Sequence, residues 1–336
     1  MGIDIGTTSI CGVVTDAVTG EILKSLTLAN DSSLPSKFLY EKIQDPNRIL
    51  QICEQIYRTF LEEFTDITAV GFTGQMHGII YLDKEGNALS PLYTWQDGRA
   101  NEIYSEGLTY AEYLTKNSSY QAASGFGLTT HFYNLKNNLV PDAAFKICTI
   151  HDFVAMKAAG LKTPVSHSSD GASLGFFNLN TLCFDTDELS RLCIDSSILP
   201  EISEGEKFIG NTKEGLKVAV AIGDNQASVF ASLTGEGQVL VNVGTGSQVS
   251  VISDKKIVTD IVETRPYFGG KYLVTSCPLC GGYSYTLLKN FFQKTLDMYG
   301  FKCDDIYSVL NSAANEETAQ PMTFTTLFKG TRKTPL

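Results

Sequence analysis

Two segments of this chain share a residue pattern suited to holding phosphate. Ile3-Asp4-Ile5-Gly6-Thr7-Thr8-Ser9-Ile10-Cys11-Gly12-Val13 can be laid over Val241-Asn242-Val243-Gly244-Thr245-Gly246-Ser247-Gln248-Val249-Ser250-Val251 without a gap. Each reads as strand, tight polar turn and strand, a β-hairpin. At such a turn Gly lets a phosphate approach the backbone, successive N–H groups form an anion nest, and Thr and Ser hydroxyls add donors. Asp4, at the strand end, has the chemistry to hold Mg²⁺ through water. A single copy could use Gly and Thr for shape alone; the second copy argues for phosphate and for two related domains.

A second chemistry lies in Gly223-Asp224-Asn225-Gln226. An Asp between a strand and a helix is a natural N-cap, and the same carboxylate can act as general base toward a hydroxyl. In a loose phosphoryl-transfer transition state the base need only orient the oxygen and accept the proton late. A third group joins Gly74-Gln75-Met76-His77-Gly78 to Trp95-Gln96-Asp97-Gly98-Arg99. Amide, imidazole, carboxylate and guanidinium beside the only Trp suit a polyhydroxyl ligand, although Asp97-Gly98 with Arg99 also reads as a salt-bridged turn. The chain has no Gly-x-x-x-x-Gly-Lys-Ser/Thr and no Gly-x-Gly-x-x-Gly, which disfavours P-loop NTPases and Rossmann dehydrogenases.

The elements that must position these residues follow from pattern. Asp45-Pro46-Asn47 opens a helix whose apolar residues Ile49, Ile52, Cys53, Ile56, Tyr57, Phe60, Leu61 and Phe64 fall on one face. Strands are expected at 21–28, 67–72, 78–82 and 218–222, and helices near 131–139, 151–159, 186–193, 226–233 and 284–298. This alternation gives an α/β class. The 336 residues suit about two domains, expected at 1–216 and 217–336. A net charge of −11 and a pI near 4.9 argue against a nucleic-acid binder. No run of 18 apolar residues and no leader pattern is present, and the eight cysteines are scattered, so a cytoplasmic protein with reduced thiols and no membrane partner is expected.

The motifs Asp4-x-Gly-Thr-Thr-Ser9, Gly74-Gln-Met-His-Gly78, Trp95-Gln-Asp-Gly-Arg99, Gly223-Asp-Asn-Gln226 and Asn242-Val-Gly-Thr-Gly246, in this order, resemble the FGGY carbohydrate kinases. Thr130–Lys136, Thr149–Met156, Ser173–Phe177 and Leu279–Gly282 extend the resemblance toward the sedoheptulokinases, and xylulokinases share the Gln-Met-His-Gly and Asp-Gly-Arg features. The resemblance implies an actin-like, hexokinase-type ATPase fold of two related domains around a cleft, the second incomplete. It implies transfer of the γ-phosphoryl of Mg·ATP to a ketose, sedoheptulose first.

On that resemblance Asp224 is the catalytic base and Asp4 the acidic residue near Mg²⁺. Gly6, Thr7 and Thr8 form the first phosphate hairpin; Gly244, Thr245 and Gly246 form the second, with Gly281 and Gly282 packed against the nucleotide. Gln75, Met76, His77, Asp97, Arg99 and Asn225 face the sugar. A homodimer is common in the family. Family members usually continue beyond position 336 with a Gly-rich loop and helices that hold adenosine, so a fragment is expected. The alternatives are a pentulose kinase, a non-catalytic sugar-binding relative and an actin-like filament former.

Overall fold

The computed structural model describes residues 1–203, 205–233, 235, 237–244, 246–259, 261–278, 280–316, 325, 326 and 328. They form two compact units, Met1–Ala231 with Pro266–Lys271, and Ser232–Arg265 with Tyr272–Leu336.

The first unit is built on a mixed sheet of β1 (Gly2–Ile5), β2 (Ser9–Thr15), β3 (Ile22–Ala29), β4 (Ala69–Gly74), β5 (Phe208–Asn211), β6 (Lys217–Ala219) and β7 (Ile222–Gly223). The order is β5-β6-β4-β1-β2-β3, with β7 also on β4. Strands β1, β6 and β7 all run parallel to β4, whereas β1-β2-β3 is an antiparallel meander. Helix α1 (Pro46–Glu63) starts where Pro46 and the Asp45 cap direct it: the Asn47 N–H donates to the Asp45 carboxylate at 2.9 Å. Its apolar face packs on the sheet, and Gly12 allows the close approach, since a Cβ there would lie 2.3 Å from Ile56.

Three more helices serve the site: α2 (Gly127–Lys136), α3 (Ile150–Ala158) and α4 (Ser168–Leu174). Ile3, Ile5, Ile10, Val70 and Phe72 form a core with Ile49, Ile52, Ile56 and Phe60 of α1 and Phe153 of α3. A second cluster joins Ile79, Tyr81, Leu128, Phe132 and Leu174. Pattern reading misses α4, because Ser168-Ser169-Asp170-Gly171 has the composition of a turn. The His167 ring caps the helix by accepting the Ser169 N–H, and Ser168, Ser169 and Asp170 are buried in it.

Residues 217–223 were expected in the second domain, but β6 and β7 hydrogen-bond to β4 of the first sheet. Helix α5 (Asp224–Ser232) then carries the chain to the boundary at 231/232. The apolar run 218–222 therefore completes a sheet rather than starting a new one.

The second unit holds a four-stranded sheet of β8 (Val239–Val243), β9 (Ser247–Ser253), β10 (Glu263–Pro266) and β11 (Tyr272–Ser276), in the order β8-β9-β11-β10. Two helices follow, α6 (Gly282–Met298) and α7 (Ile306–Glu316), joined by Tyr285 Oη donating to Asn311 Oδ1 at 2.6 Å. Among the described residues, no helix is long and apolar enough to cross a membrane.

Candidate active site

Strand register decides which loops meet. Asp4, Thr73 and Ile222 are direct neighbours across β1, β4 and β7, and so are Ile5, Gly74 and Gly223. The three parallel strands therefore stop at one level. They release the Gly6 turn, the Gln75 loop and Asp224 side by side, with adjacent strands about 4.8 Å apart. The carboxyl edge of parallel strands is where open α/β sheets bind ligands.

Side-chain bonds then tie these loops together. Gln75 Nε2 donates to Gln44 Oε1 at 2.8 Å, and Gln44 Nε2 donates to the Thr7 carbonyl at 2.9 Å. Thr7 Oγ1 donates to Gln75 Oε1 at 3.3 Å and accepts from Trp95 Nε1 at 3.1 Å. Asn30 holds the other end of the turn, donating its side-chain amide to the Gly6 carbonyl at 2.8 Å and its backbone N–H to the Thr8 carbonyl at 2.9 Å. All three turn carbonyls thus accept protein bonds. Gly6 is required by space, since a Cβ would sit 2.8 Å from the Ser9 carbonyl oxygen.

Met76 links this loop to the next, for its thioether sulfur lies 2.5 Å from where a Gly223 Cβ would be. Met76 therefore packs on the residue before Asp224. His77, at φ 73°, accepts a backbone conformation that few non-glycine residues adopt. Its ring stacks on Phe126 with centroids 4.6 Å apart, and Nδ1 lies 2.8 Å from the Ser173 carbonyl oxygen. Asp224 is exposed at the first position of α5, and Asn225 beside it is half-buried.

Asp97 and Arg99 behave differently from the expected sugar-facing groups. They are 1% and 2% exposed and turned on each other, with Arg99 Nε donating to Asp97 Oδ1 at 2.7 Å. Arg99 also donates to Asn134 Oδ1 at 2.7 Å and lies 4.1 Å from the centroid of the Tyr93 ring. Asp97 accepts the Lys42 N–H at 3.1 Å. The pair is a buried clamp that fixes the Trp95 loop.

Asp4 is exposed beside a cavity of about 540 Å³, also lined by Cys11, Thr73, Ile222, Ala227 and Phe268. Loss of hydration on that side raises its carboxyl above the ordinary value, and His151 partly offsets the effect. This cavity is mainly apolar and its lining does not include Gln75, His77 or Asp224, so it is separate from the polar loop cluster.

In the second unit, Gly281 and Gly282 pack on the β8–β9 turn. Gly282 N donates to the Gly244 carbonyl at 2.7 Å, and a Cβ on Gly281 would lie 2.3 Å from the Gly246 carbonyl oxygen. The expected packing of Gly281 and Gly282 on a nucleotide is a separate matter from this contact with the hairpin, and Thr245 lies outside the described residues. Sequence reading missed the connectors Gln44, Asn30 and Phe126, which belong to no motif, and the connecting roles of Ser173 and Asn134 within the stretches Ser173–Phe177 and Thr130–Lys136.

A sheet edge that presents a Gly-Thr-Thr turn, a polar Gln-Met-His loop and an aspartate together is the layout of a kinase for small polyhydroxyl compounds. The model of the FGGY family of carbohydrate kinases, N-terminal domain, matches residues 1–240. The chain belongs to this family. Sedoheptulokinase of Mus musculus is 26% identical over 375 residues, covering 100% of this chain and 78% of that protein. Xylulose kinase from Lactobacillus acidophilus superposes with a TM-score of 0.77 at 21% identity, over 93% of this chain and 65% of its own. Plasmodium falciparum glycerol kinase, solved with ADP, gives a TM-score of 0.74 at 18% identity, over 94% and 67%. These likenesses establish the fold as that of the actin-like sugar kinases.

Proposed function

We propose that this protein transfers the γ-phosphoryl group of Mg·ATP to a hydroxyl of a ketose, with sedoheptulose as the first candidate and sedoheptulose 7-phosphate as product. The observation that carries the reading is the common level at which β1, β4 and β7 end, which sets the Gly6 turn, Gln75–His77 and Asp224 on one edge. Similarity to sedoheptulokinase over the whole of this chain and 78% of that protein supports the choice of sugar.

In this reading Gln75, Met76, His77 and Asn225 contact the sugar, and Asp97 with Arg99 fixes the loop beneath it. Asp224 orients the attacking hydroxyl and takes its proton as the new P–O bond forms. Gly6, Thr7 and Thr8 receive phosphate; within the second unit Gly244 and Gly246, backed by Gly281 and Gly282, belong to a second phosphate-binding hairpin together with Thr245, which lies outside the described residues. The donor set fits a hydrated Mg²⁺ near Asp4: the carboxylate is solvent-facing, and its in-register neighbour Thr73 has a buried hydroxyl without a hydrogen-bond partner. Mg²⁺ there would neutralise charge on the phosphates.

The test is ketose-dependent ADP release from Mg·ATP, with sedoheptulose, xylulose, ribulose and glycerol in parallel. Release with sedoheptulose supports the reading, and release with xylulose moves it to a pentulose kinase. Sugar binding without release identifies a non-catalytic sugar-binding relative. Asp224→Asn should lower turnover by roughly 10²–10⁴-fold while sugar affinity is retained; unchanged turnover removes Asp224 from the mechanism.

A further inference from the structure

His151, Asp152 and Asp170 form a sealed cluster that the chemistry above does not use. His151 and Asp152 lie in the first turn of α3, and Asp170 lies in α4; they are 0%, 1% and 0% exposed. His151 Nε2 is 2.9 Å from Asp170 Oδ1, and one donor atom from each residue falls within 4.8 Å of the others. Asp152 Oδ2 accepts from the Ser166 hydroxyl at 2.5 Å. Both Asp170 oxygens, Asp152 Oδ1 and both His151 ring nitrogens have no aligned hydrogen-bond partner, so His151 and Asp170 meet in a close contact rather than an aligned bond.

Two buried carboxylates require compensating positive charge. A metal ion is one candidate and a proton on His151 the other. Full burial leaves these three donors no solvent from which to complete a four-ligand or hydrated cation sphere. A separation of 2.9 Å matches a direct imidazolium–carboxylate contact. The location is as telling as the charge, since α3 and α4 both pack on β7, the strand that ends at Gly223 and delivers Asp224.

We propose that Asp170 holds His151 as an imidazolium, and that this buried pair behind β7 is a positioning element for Asp224, its cation offsetting the Asp152 and Asp170 carboxylates that would otherwise disfavour the ionised Asp224 presented to the incoming hydroxyl. The role assigned to His151 rests on reading Asp224 as the base. Burial pulls the imidazole down, but Asp170, then Asp152 and Asp224, lift it to about 9. Asp152 moves toward its protonated form, through burial and then Asp170. Also facing the cluster are Asp4 from β1, whose carboxyl His151 draws down, and His167 before α4, which Asp170 draws up against burial.

The experiment is NMR of ¹⁵N-His and ¹³C-carboxyl-Asp protein across pH, for the wild-type chain, His151→Gln, His151→Lys and Asp170→Asn. His151 should show imidazolium nitrogens at pH 7.5. The Asp224 midpoint should rise by on the order of one pH unit in His151→Gln and return in His151→Lys, which restores the cation. Asp170→Asn, which keeps the ring but removes its counter-ion, should yield a neutral imidazole at pH 7.5 and, with both charges of the pair gone, an Asp224 midpoint close to wild type; the imidazole readout carries the test if His151→Gln does not fold. A neutral His151 in the wild type, one equivalent of bound metal, or an Asp224 midpoint unmoved in His151→Gln overturns the proposal. Failure of the kinase reading registers separately, as wild-type protein that releases no ADP with any ketose while the NMR midpoints stand.

Discussion

The two hairpins began as one pattern in the sequence and end in opposite environments. In the first, Ile3, Ile5 and Ile10 are at most 1% exposed, beneath α1 and α3, and every carbonyl of the turn is bonded. In the second, Val241 and Val243 are 60% and 65% exposed, and the turn is braced mainly by the backbone of Gly281 and Gly282. Strand–turn–strand alternation therefore specifies a hairpin, while the neighbouring helices determine whether its apolar residues become core. The first turn is a fixed platform and the second an exposed ribbon, within which stability and ligand binding should respond to substitution differently.

Truncation tests this contrast most severely. Ile5→Ala should cost about 2–5 kcal/mol, as for a fully buried aliphatic side chain, and Val243→Ala should stay within about 0.5 kcal/mol. Urea unfolding compares them, and equal losses would erase the distinction. Glycine replacement comes next. Gly6→Ala forces a Cβ toward the Ser9 carbonyl inside a bonded turn and should cost roughly 1–3 kcal/mol. Gly281→Ala meets the Gly246 carbonyl in the less buried turn, so its main effect should be weaker ADP retention with a smaller change in melting temperature.

Removing the Trp95 indole N–H with Trp95→Phe breaks one bond to Thr7 and should cost about 0.5–1.5 kcal/mol. A thermal scan would show it, and no change would mean that the indole does not brace the turn. The smallest and most selective effect is on pH. His151 titrates near 6.5 unfolded and about 9 folded, so its contribution is full below pH 6.5 and disappears as pH rises through 9. The stability gap between wild type and His151→Gln should narrow over that interval; a constant gap would mean that the residue acts through packing alone. Buried ionisable side chains of this kind occur, among the described residues, in the first unit and not around the second hairpin.

The α1 stripe and both hairpins were legible because each depends on local periodicity or turn chemistry, and the structure places Ile49, Ile52, Ile56 and Phe60 in the core as that periodicity requires. The strand read at 67–72 appears at Ala69–Gly74, and the helix read at 131–139 begins at Gly127. Those ends are set by strand pairing and by contacts between helices, which a local window does not contain. The domain boundary was misplaced for the same reason, because nothing local to Val218 reveals that its partner is Val70.

By itself the sequence singled out the segments whose residue types could carry chemistry: Asp4 to Ser9, Gly74 to Gly78, Asp97 to Arg99, Asp224 and the second hairpin. Their order alone matched a family. Only the tertiary structure decided how these groups are used. It aligned Ile5, Gly74 and Gly223 across three strands, turned Asp97 and Arg99 inward as a clamp, and used Gln44 as the link between Thr7 and Gln75. It also brought His151 against Asp170, 19 positions away by 170 − 151, and sealed both from water. A residue's type fixes the bonds and charges it can offer; partner and solvent access depend on packing between segments distant in the chain, and those decide whether a charge is displayed to a ligand or buried behind it.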